Sequence, residues 1–317
     1  MSESEQTLAI ESPHAAPTPR RTHAAWWMGA AILALLAALY LPILDRLVRQ
    51  WWTDSNWSHG FIVPLFAAFL LWRRKNELAA IPIRPSWAGL GVVCAGLAIL
   101  VVGVMGAELF LSRSSLIVIL GGLVILFLGW DYFRAVLFPW LFLFLMIPIP
   151  AIVFNQITFP LQLLVSQLAS WILEAIGIPV LREGNVIQLA AMSLEVAEAC
   201  SGIRSLLSLF TLALIYGYFM ESEIWKRALL AFISLPIAVA ANGARIVGTG
   251  LMVQYWDPDK ALGFFHEFSG WVIFLVSVGL LCGARSIINV GVKRVSKTPQ
   301  VARQKTNVGA LPHDSLS

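Results

Sequence analysis

The stretch AAWWMGAAILALLAALYLPIL, Ala24–Leu44, carries no charged residue from end to end. The hydrocarbon core of a bilayer is about 30 Å thick, and a helix crosses it with about 20 apolar residues. Ala24–Leu44 therefore reads as a first membrane span. A cleaved signal peptide is not expected: the leader is long and acidic, the apolar core is longer than a signal's, and no small-x-small cleavage site closes it. The leader, residues 1–22, is polar, with Pro, Ser, Glu and an Arg20-Arg21 pair, and reads as a disordered cytoplasmic tail.

Outward from this span, composition says the same. Hydrophobic residues make up 58% of the 317 and charged residues 13%, where a soluble chain is about a quarter charged. The solvent for most of the chain is lipid. Further apolar runs lie at roughly 60–72, 86–106, 114–130, 135–153, 200–220, 227–250 and 268–284. Together they predict an all-α polytopic membrane protein with about eight transmembrane helices. The run at 60–72 is short and holds Pro64. No internal repeat is evident, so the inverted-repeat signature of many transporters is missing.

Charge sets the orientation. Arg20-Arg21 precede the first span, Arg73-Arg74-Lys75 follow the second, and Arg134 lies between the fourth and fifth. Lys226-Arg227 lie between the sixth and seventh, and Arg285, Lys293 and Arg294 follow the eighth. All fall on one side if both termini are cytoplasmic, as positive-inside loops require. The net charge of +4 thus sits in loop clusters, not in a basic stripe with interleaved aromatics, and nucleic acid is not an expected partner. Of the three cysteines, Cys94 and Cys282 lie in apolar runs and read as small buried hydrophobes. No Cys-x-x-Cys spacing or nearby histidine predicts a metal site, and no cofactor is expected.

Two longer segments fall on the extracytoplasmic side. The loop 45–59 is rich in Trp51, Trp52 and Trp57, which suits an interfacial aromatic belt. In the stretch 154–199, Asn155–Gly177 mixes Gln162, Gln167, Ser170 and Glu174 with Leu, Ile and Trp171, which predicts an amphipathic helix lying at the interface. Pro179–Val196 is β-branched and alternating around Glu183-Gly184-Asn185, which predicts a short β-hairpin. The membrane domain spans 23–295, and the polar tail 296–317 is expected to be a second disordered cytoplasmic segment.

This topology brings three reactive residues to one side. Cys200 opens the sixth span in Ala197-Glu198-Ala199-Cys200-Ser201-Gly202-Ile203-Arg204, Arg245 lies toward the outer end of the seventh, and His266 just before the eighth. A cysteine at a helix N-terminus is favoured as thiolate by the unpaired N–H groups and the helix dipole. Arg245 or Arg204 nearby would depress its pKa further. A thiolate attacks a peptide carbonyl, a guanidinium offers forked donors to the oxyanion, and an imidazole protonates the leaving amine. Asn242, three residues before Arg245, shares its helix face and is placed to orient it or to bind substrate backbone. Ser201, Gly202 and Glu198 beside the cysteine, and His59 in Ser58-His59-Gly60, are further supporting candidates. Singly these residues have plainer readings: a cysteine at a helix end is usually packing, and an arginine near a span terminus usually snorkels to headgroups. Arg245, however, breaks the positive-inside trend.

At these residues the chain resembles an exosortase, and most closely the exosortase A branch. The family pattern joins an Ala-x-x-Cys-Ser-Gly block, an Asn-x-x-Arg block and a histidine near the last span. Cys200 with Ser201-Gly202, Asn242 with Arg245, and His266 match it, as does the early Ser58-His59-Gly60. The likeness runs from about Ala25 to Ile288 and is strongest over 180–275, including Leu181-Arg182-Glu183-Gly184-Asn185 and Glu195-Val196. The resemblance implies a cysteine transpeptidase or endopeptidase of the inner membrane, with its site facing the periplasm. It implies substrates bearing a C-terminal PEP-CTERM signal: a Pro-Glu-Pro motif, a membrane helix and a basic tail. It also implies a link to exopolysaccharide and biofilm production. Cys200 would form the acyl-thioester, with Arg245 and His266 dividing proton donation and transition-state stabilisation in an order the sequence leaves open. A transporter would instead place ionisable residues along a mid-membrane path. An acyltransferase would show several acidic or histidine residues for activating a hydroxyl.

Overall fold

The computed structural model describes residues 23–190, 192–196, 203–256 and 264–308. Ten α-helices and three short strands make up the described chain. In order they are α1 (His23–Thr53), α2 (Ile62–Arg73), α3 (Lys75–Ala79), α4 (Ala88–Met105), α5 (Leu109–Phe127), α6 (Trp130–Phe142) and α7 (Ala151–Ala175). Strands β1 (Leu181–Glu183), β2 (Val186–Gln188) and β3 (Ser193–Glu195) follow, then α8 (Ile203–Met220), α9 (Ile224–Tyr255) and α10 (Phe264–Val308). Residues up to Asp45 form one unit and Arg46–Ser317 a second. Among the described residues, seven helices are long and apolar enough to cross a membrane: α1, α4, α5, α7, α8, α9 and α10. The chain is an all-α polytopic membrane protein.

The other two expected spans are shorter than the hydropathy pattern suggests. α2 has 12 residues and is preceded by the 3-10 segment Ser55–Phe61. The run at 135–153 is not one helix. α6 tightens into a 3-10 turn at Leu143–Met146, and Pro148 and Pro150 stop it before α7 begins at Ala151; proline removes a ladder donor and bars α geometry at the residue before it. α7, expected at the interface, has the length and composition of a span. Its inward stripe contains Thr158, Gln162, Ser166 and Ser170, while Ile152, Ile157, Phe159, Leu164 and Trp171 face outward.

Two further expectations are corrected and one, the hairpin, is extended. The segment 45–59 is no open loop: α1 continues through it to Thr53. Its tryptophans divide: Trp52 is 82% exposed, but Trp51 and Trp57 are buried, and Trp51 Nε1 donates to the Met146 carbonyl at 2.9 Å. The hairpin has a third strand, giving an antiparallel sheet in the order β1-β2-β3. Cys94 is exposed on α4 and Cys282 half-buried, because an outward face in lipid accepts the same residues as a core. Beyond these, α10 continues to Val308, past the boundary expected at Ser296; that tail is rich in Lys, Arg, Gln and Val as well as polar.

Close backbone approach holds α4 to α5. Gly89, Gly96 and Gly103 recur every seven residues on one face of α4. A Cβ at Gly89 would collide with the backbone of Leu126, and one at Gly103 would lie 2.6 Å from Ser112 N. Lipid gives no hydrophobic drive between helices, so packing through small residues carries the association. A second core lies where α7, the sheet and the C-terminal half of α9 meet, with Val165, Ala169, Leu173, Ile187, Leu194, Val196, Ile246 and Val253 buried together.

Candidate active site

Several of the basic clusters that set the expected orientation gather at one end of the bundle. Arg74 Nη1 donates to the Ala135 carbonyl at 2.9 Å, tying the end of α2 to the start of α6. Arg73 lies over the Phe219 ring and Arg227 over Tyr218, both at the C-terminal end of α8. Glu221, between α8 and α9, takes Arg285 Nε at 2.7 Å, Asn289 Nδ2 at 2.7 Å and Lys226 Nζ at 3.7 Å. Burial opposes ionisation of Glu221, yet the bonds from Asn289 and Arg285 and the nearby charges hold its carboxyl below the usual range.

Arg245 lies on α9 well away from that end. From Ile224 to Arg245 is about 32 Å of helix at 1.5 Å per residue, close to the full thickness of a hydrocarbon core. α9 then continues for ten residues as a wall of the core beneath the sheet. Its neighbour at this level is α10: a Cβ placed at Gly270 would lie 3.8 Å from Arg245 Cζ and 3.9 Å from Nη2. The guanidinium therefore lies against the surface of α10 at Gly270. Position 266 is one turn before Gly270 on the same face of α10. Its side chain and those of Phe264, Phe265 and Glu267 lie outside the described set. Asn242, one turn before Arg245, is buried at 3% exposure in the helix pack, and Thr249 Oγ1 donates to the Arg245 carbonyl at 3.0 Å.

The segment that leads to Cys200 is fixed from the sheet. Val196 N–H donates to the Asn185 carbonyl at 2.8 Å, and Asn185 Nδ2 donates back to the Val196 carbonyl at 3.3 Å. Asn185 thus grips Val196 through both backbone and side chain, four residues before Cys200. Gln162 Oε1 on α7 lies 3.5 Å from the same amide nitrogen, and Ser166 Oγ donates to the Gly184 carbonyl at 3.0 Å. Gly184, at φ 63°, takes the first central position of the two-residue β1–β2 turn, where a type II′ turn needs glycine. Cys200, Glu198, Ser201 and Gly202 lie outside the described residues. Ile203 opens α8 directly after them, and Arg204 in its first turn is exposed.

His59 is buried in the 3-10 segment, which packs on α8 and on the 3-10 turn after α6. Burial pushes its imidazole below the usual value, against opposing bonds to the Leu145 and Asn56 backbone, so the ring is neutral at neutral pH. Its Nδ1 has no hydrogen-bond partner of good geometry among the described residues. Gly60 is needed beside it because the Trp51 indole lies where a Cβ would stand. Gly270 and the Asn185–Gln162 pair carry no signal in the sequence that marks them as parts of a site. Glycine in an apolar helix is common, and Asn185 reads first as a turn residue.

No curated protein matches the chain, and no solved structure does. Residues 51–283 match the family model described as transmembrane exosortase (Exosortase_EpsH). That match covers most of the chain, from the end of α1 through the span of α10 that carries Gly270. The chain belongs to the transmembrane exosortase family, and its general role is that of a membrane transpeptidase or protease.

Proposed function

We propose that the chain is a cysteine-type transpeptidase or endopeptidase that cleaves C-terminal PEP-CTERM sorting signals from exported proteins, in the service of exopolysaccharide and biofilm production. It sits in the inner membrane with both termini cytoplasmic and its site toward the periplasm. The Cys200 thiolate attacks the scissile carbonyl, and Arg245 and its forked donors stabilise the oxyanion. As the C–N bond breaks, the leaving amine takes a proton from His266, and the acyl group stays on sulfur as a thioester. Water or an amine then attacks the thioester and gives its proton to the imidazole, which restores the thiolate. Asn242 supports Arg245 from the same helix, and Arg204 adds positive charge one turn below Cys200. Glu198, Ser201, Gly202 and His59 furnish the surroundings of the nucleophile.

The observation that carries this reading is the guanidinium of Arg245 lying against Gly270, on the helix face that also bears position 266, within the region matched to the exosortase family. The same observation speaks against a transporter, because Arg245 stands about a full membrane thickness from the start of α9 rather than at its middle. Co-expression with a reporter bearing a tripartite PEP-CTERM tail tests it. Wild type yields the shortened reporter and Cys200→Ala does not; equal processing by both removes the nucleophile.

A further inference from the structure

We propose that the outer edge of β3 is a docking strand, on which the segment of substrate N-terminal to the scissile bond adds as a fourth strand of the sheet. This rests on the reading of the chain as a peptidase with Cys200 as nucleophile. In an antiparallel pair, residues alternate between those bonded to their partner and those whose N–H and C=O point the other way. Leu189 N–H donates to Met192 O and Val196 N–H to Asn185 O, and Ile187 faces Leu194 between them. The residues of β3 bonded to β2 are therefore Met192, Leu194 and Val196. Ser193 and Glu195 aim both backbone groups away from β2, and β3 is the last strand of the sheet. Among the described residues nothing pairs with them. They present two donors and two acceptors at about 7 Å spacing, which is the repeat of an extended peptide.

An open edge is an aggregation hazard unless it is covered or used, and strand addition is a common way of binding an extended peptide. What singles out this edge is where it leads. β3 passes within five residues from Glu195 to Cys200, a reach of at most about 17 Å, and Asn185 pins its end at Val196. A substrate strand beside Glu195 therefore lies within about that distance of Cys200. Ser193 and Glu195 are exposed and Leu194 is buried, so the sheet stays anchored to its core while the edge is taken. The outer edge of β1 has no such continuation, since β1 follows α7 and turns into β2.

The test separates backbone from side chain. Glu195→Pro removes an outward N–H without touching the β2 ladder, and proline is tolerated on edge strands; Glu195→Ala removes only the carboxylate. With the PEP-CTERM reporter, the proline variant is expected to show kcat/KM about tenfold below the alanine variant through KM, the loss of one net hydrogen bond. Cys200 alkylation should run at one rate in both. The same Pro/Ala pair at Arg182, whose N–H points out from β1, should show no gap. A second arm needs no variant: peptides copying the reporter segment before the cleavage point, N-methylated at one amide each, compete with the reporter on wild-type enzyme. Competition that weakens at every second position supports strand addition and decides the matter if a proline variant loses Cys200 reactivity. No gap at Glu195, or no two-residue period among the peptides, overturns the proposal. If Cys200→Ala processes the reporter as wild type does, it is the nucleophile that fails, whatever the edge does.

Discussion

Gly270 offers a way to test Arg245 without touching it. The Cβ of Gly270→Ala would stand 3.8 Å from Cζ, 3.9 Å from Nη2 and 4.0 Å from Nε, all ordinary contact distances for which nothing has to move. Leucine adds three more carbons beyond that point, and those directed at the guanidinium must displace it by on the order of 1 Å. A misplacement of that size costs about a hundredfold in rate when the displaced group acts on the reacting atoms. Arg245→Lys should lose a similar factor, since an ammonium cannot present two directed donors. An arginine that only anchors the helix at the headgroups would tolerate both changes. The assay is the rate of reporter shortening in membranes with equal amounts of inserted enzyme. Gly270→Ala is expected within about threefold of wild type, and Gly270→Leu and Arg245→Lys each about a hundredfold below it. The double variant should be little worse than either single one, because both remove the same interaction. Arg204→Lys, at an exposed site, should fall little. Wild-type rates for Gly270→Leu and Arg245→Lys together would refute the reasoning and leave Arg245 as an anchor.

Other outcomes follow from the same structure. Cys200→Ser and Cys200→Ala should abolish reporter processing while insertion, followed by protease protection, stays normal. In a variant lacking Cys94 and Cys282, a membrane-impermeant thiol reagent should label Cys200 from the outside of intact cells; labelling only after the inner face is exposed would overturn the orientation. Gly89→Val should weaken the α4–α5 pair, since even a Cβ there meets the Leu126 backbone, and the melting temperature in detergent should fall, by roughly 2 kcal/mol of stability, with Cys200 reactivity retained below the melt. Glu221 has a depressed carboxyl pKa, so its contribution is present above the ordinary carboxylate range and is lost as pH falls through the lower folded value. A melting series in acid should show that loss in wild type and not in Glu221→Gln, which should be less stable at neutral pH by about 2 kcal/mol.

What sequence could reveal here follows from what lipid demands. Ala24–Leu44 is legible because a bilayer leaves a run of apolar residues no other place. Arg73, Arg74, Lys226 and Arg285 mark one end because charge is excluded from the core, and their contacts with Ala135, Phe219 and Glu221 put them at one end in space. The misreadings arise where tertiary packing replaces lipid. Trp51 and Trp57 look like belt residues by type, yet both are buried, and Trp51 finds its polar partner at Met146, ninety-five residues on. The helix through 45–53 looked like a loop because its charges, Asp45, Arg46 and Arg49, break the apolar run without breaking the helix. Hydropathy overruns the end of α6 because it averages over Pro148 and Pro150, which the backbone cannot ignore.

The site shows the same division at closer range. Arg245 can be singled out because a guanidinium in a small, apolar run of a span, three residues after Asn242, needs a reason. Its neighbour Gly270 could not, since what matters there is the absence of a side chain. The approach to Cys200 depends on groups of equally ordinary appearance. Gln162 and Ser166 face inward from α7 and meet the β1–β2 turn at Asn185 and Gly184. Asn185 then spends its carbonyl and its amide on Val196. A strand of three residues has too little ladder to hold a register alone. Anchored at its end by Asn185 and below by Leu194 and Val196 in the core, β3 can be short and still hold one register. A polar stripe on α7 that looks like the wet face of an interfacial helix is, in the folded chain, the support for that turn. This is why α7 combines an apolar outward face with glutamine and serine on the inner face that packs under the sheet.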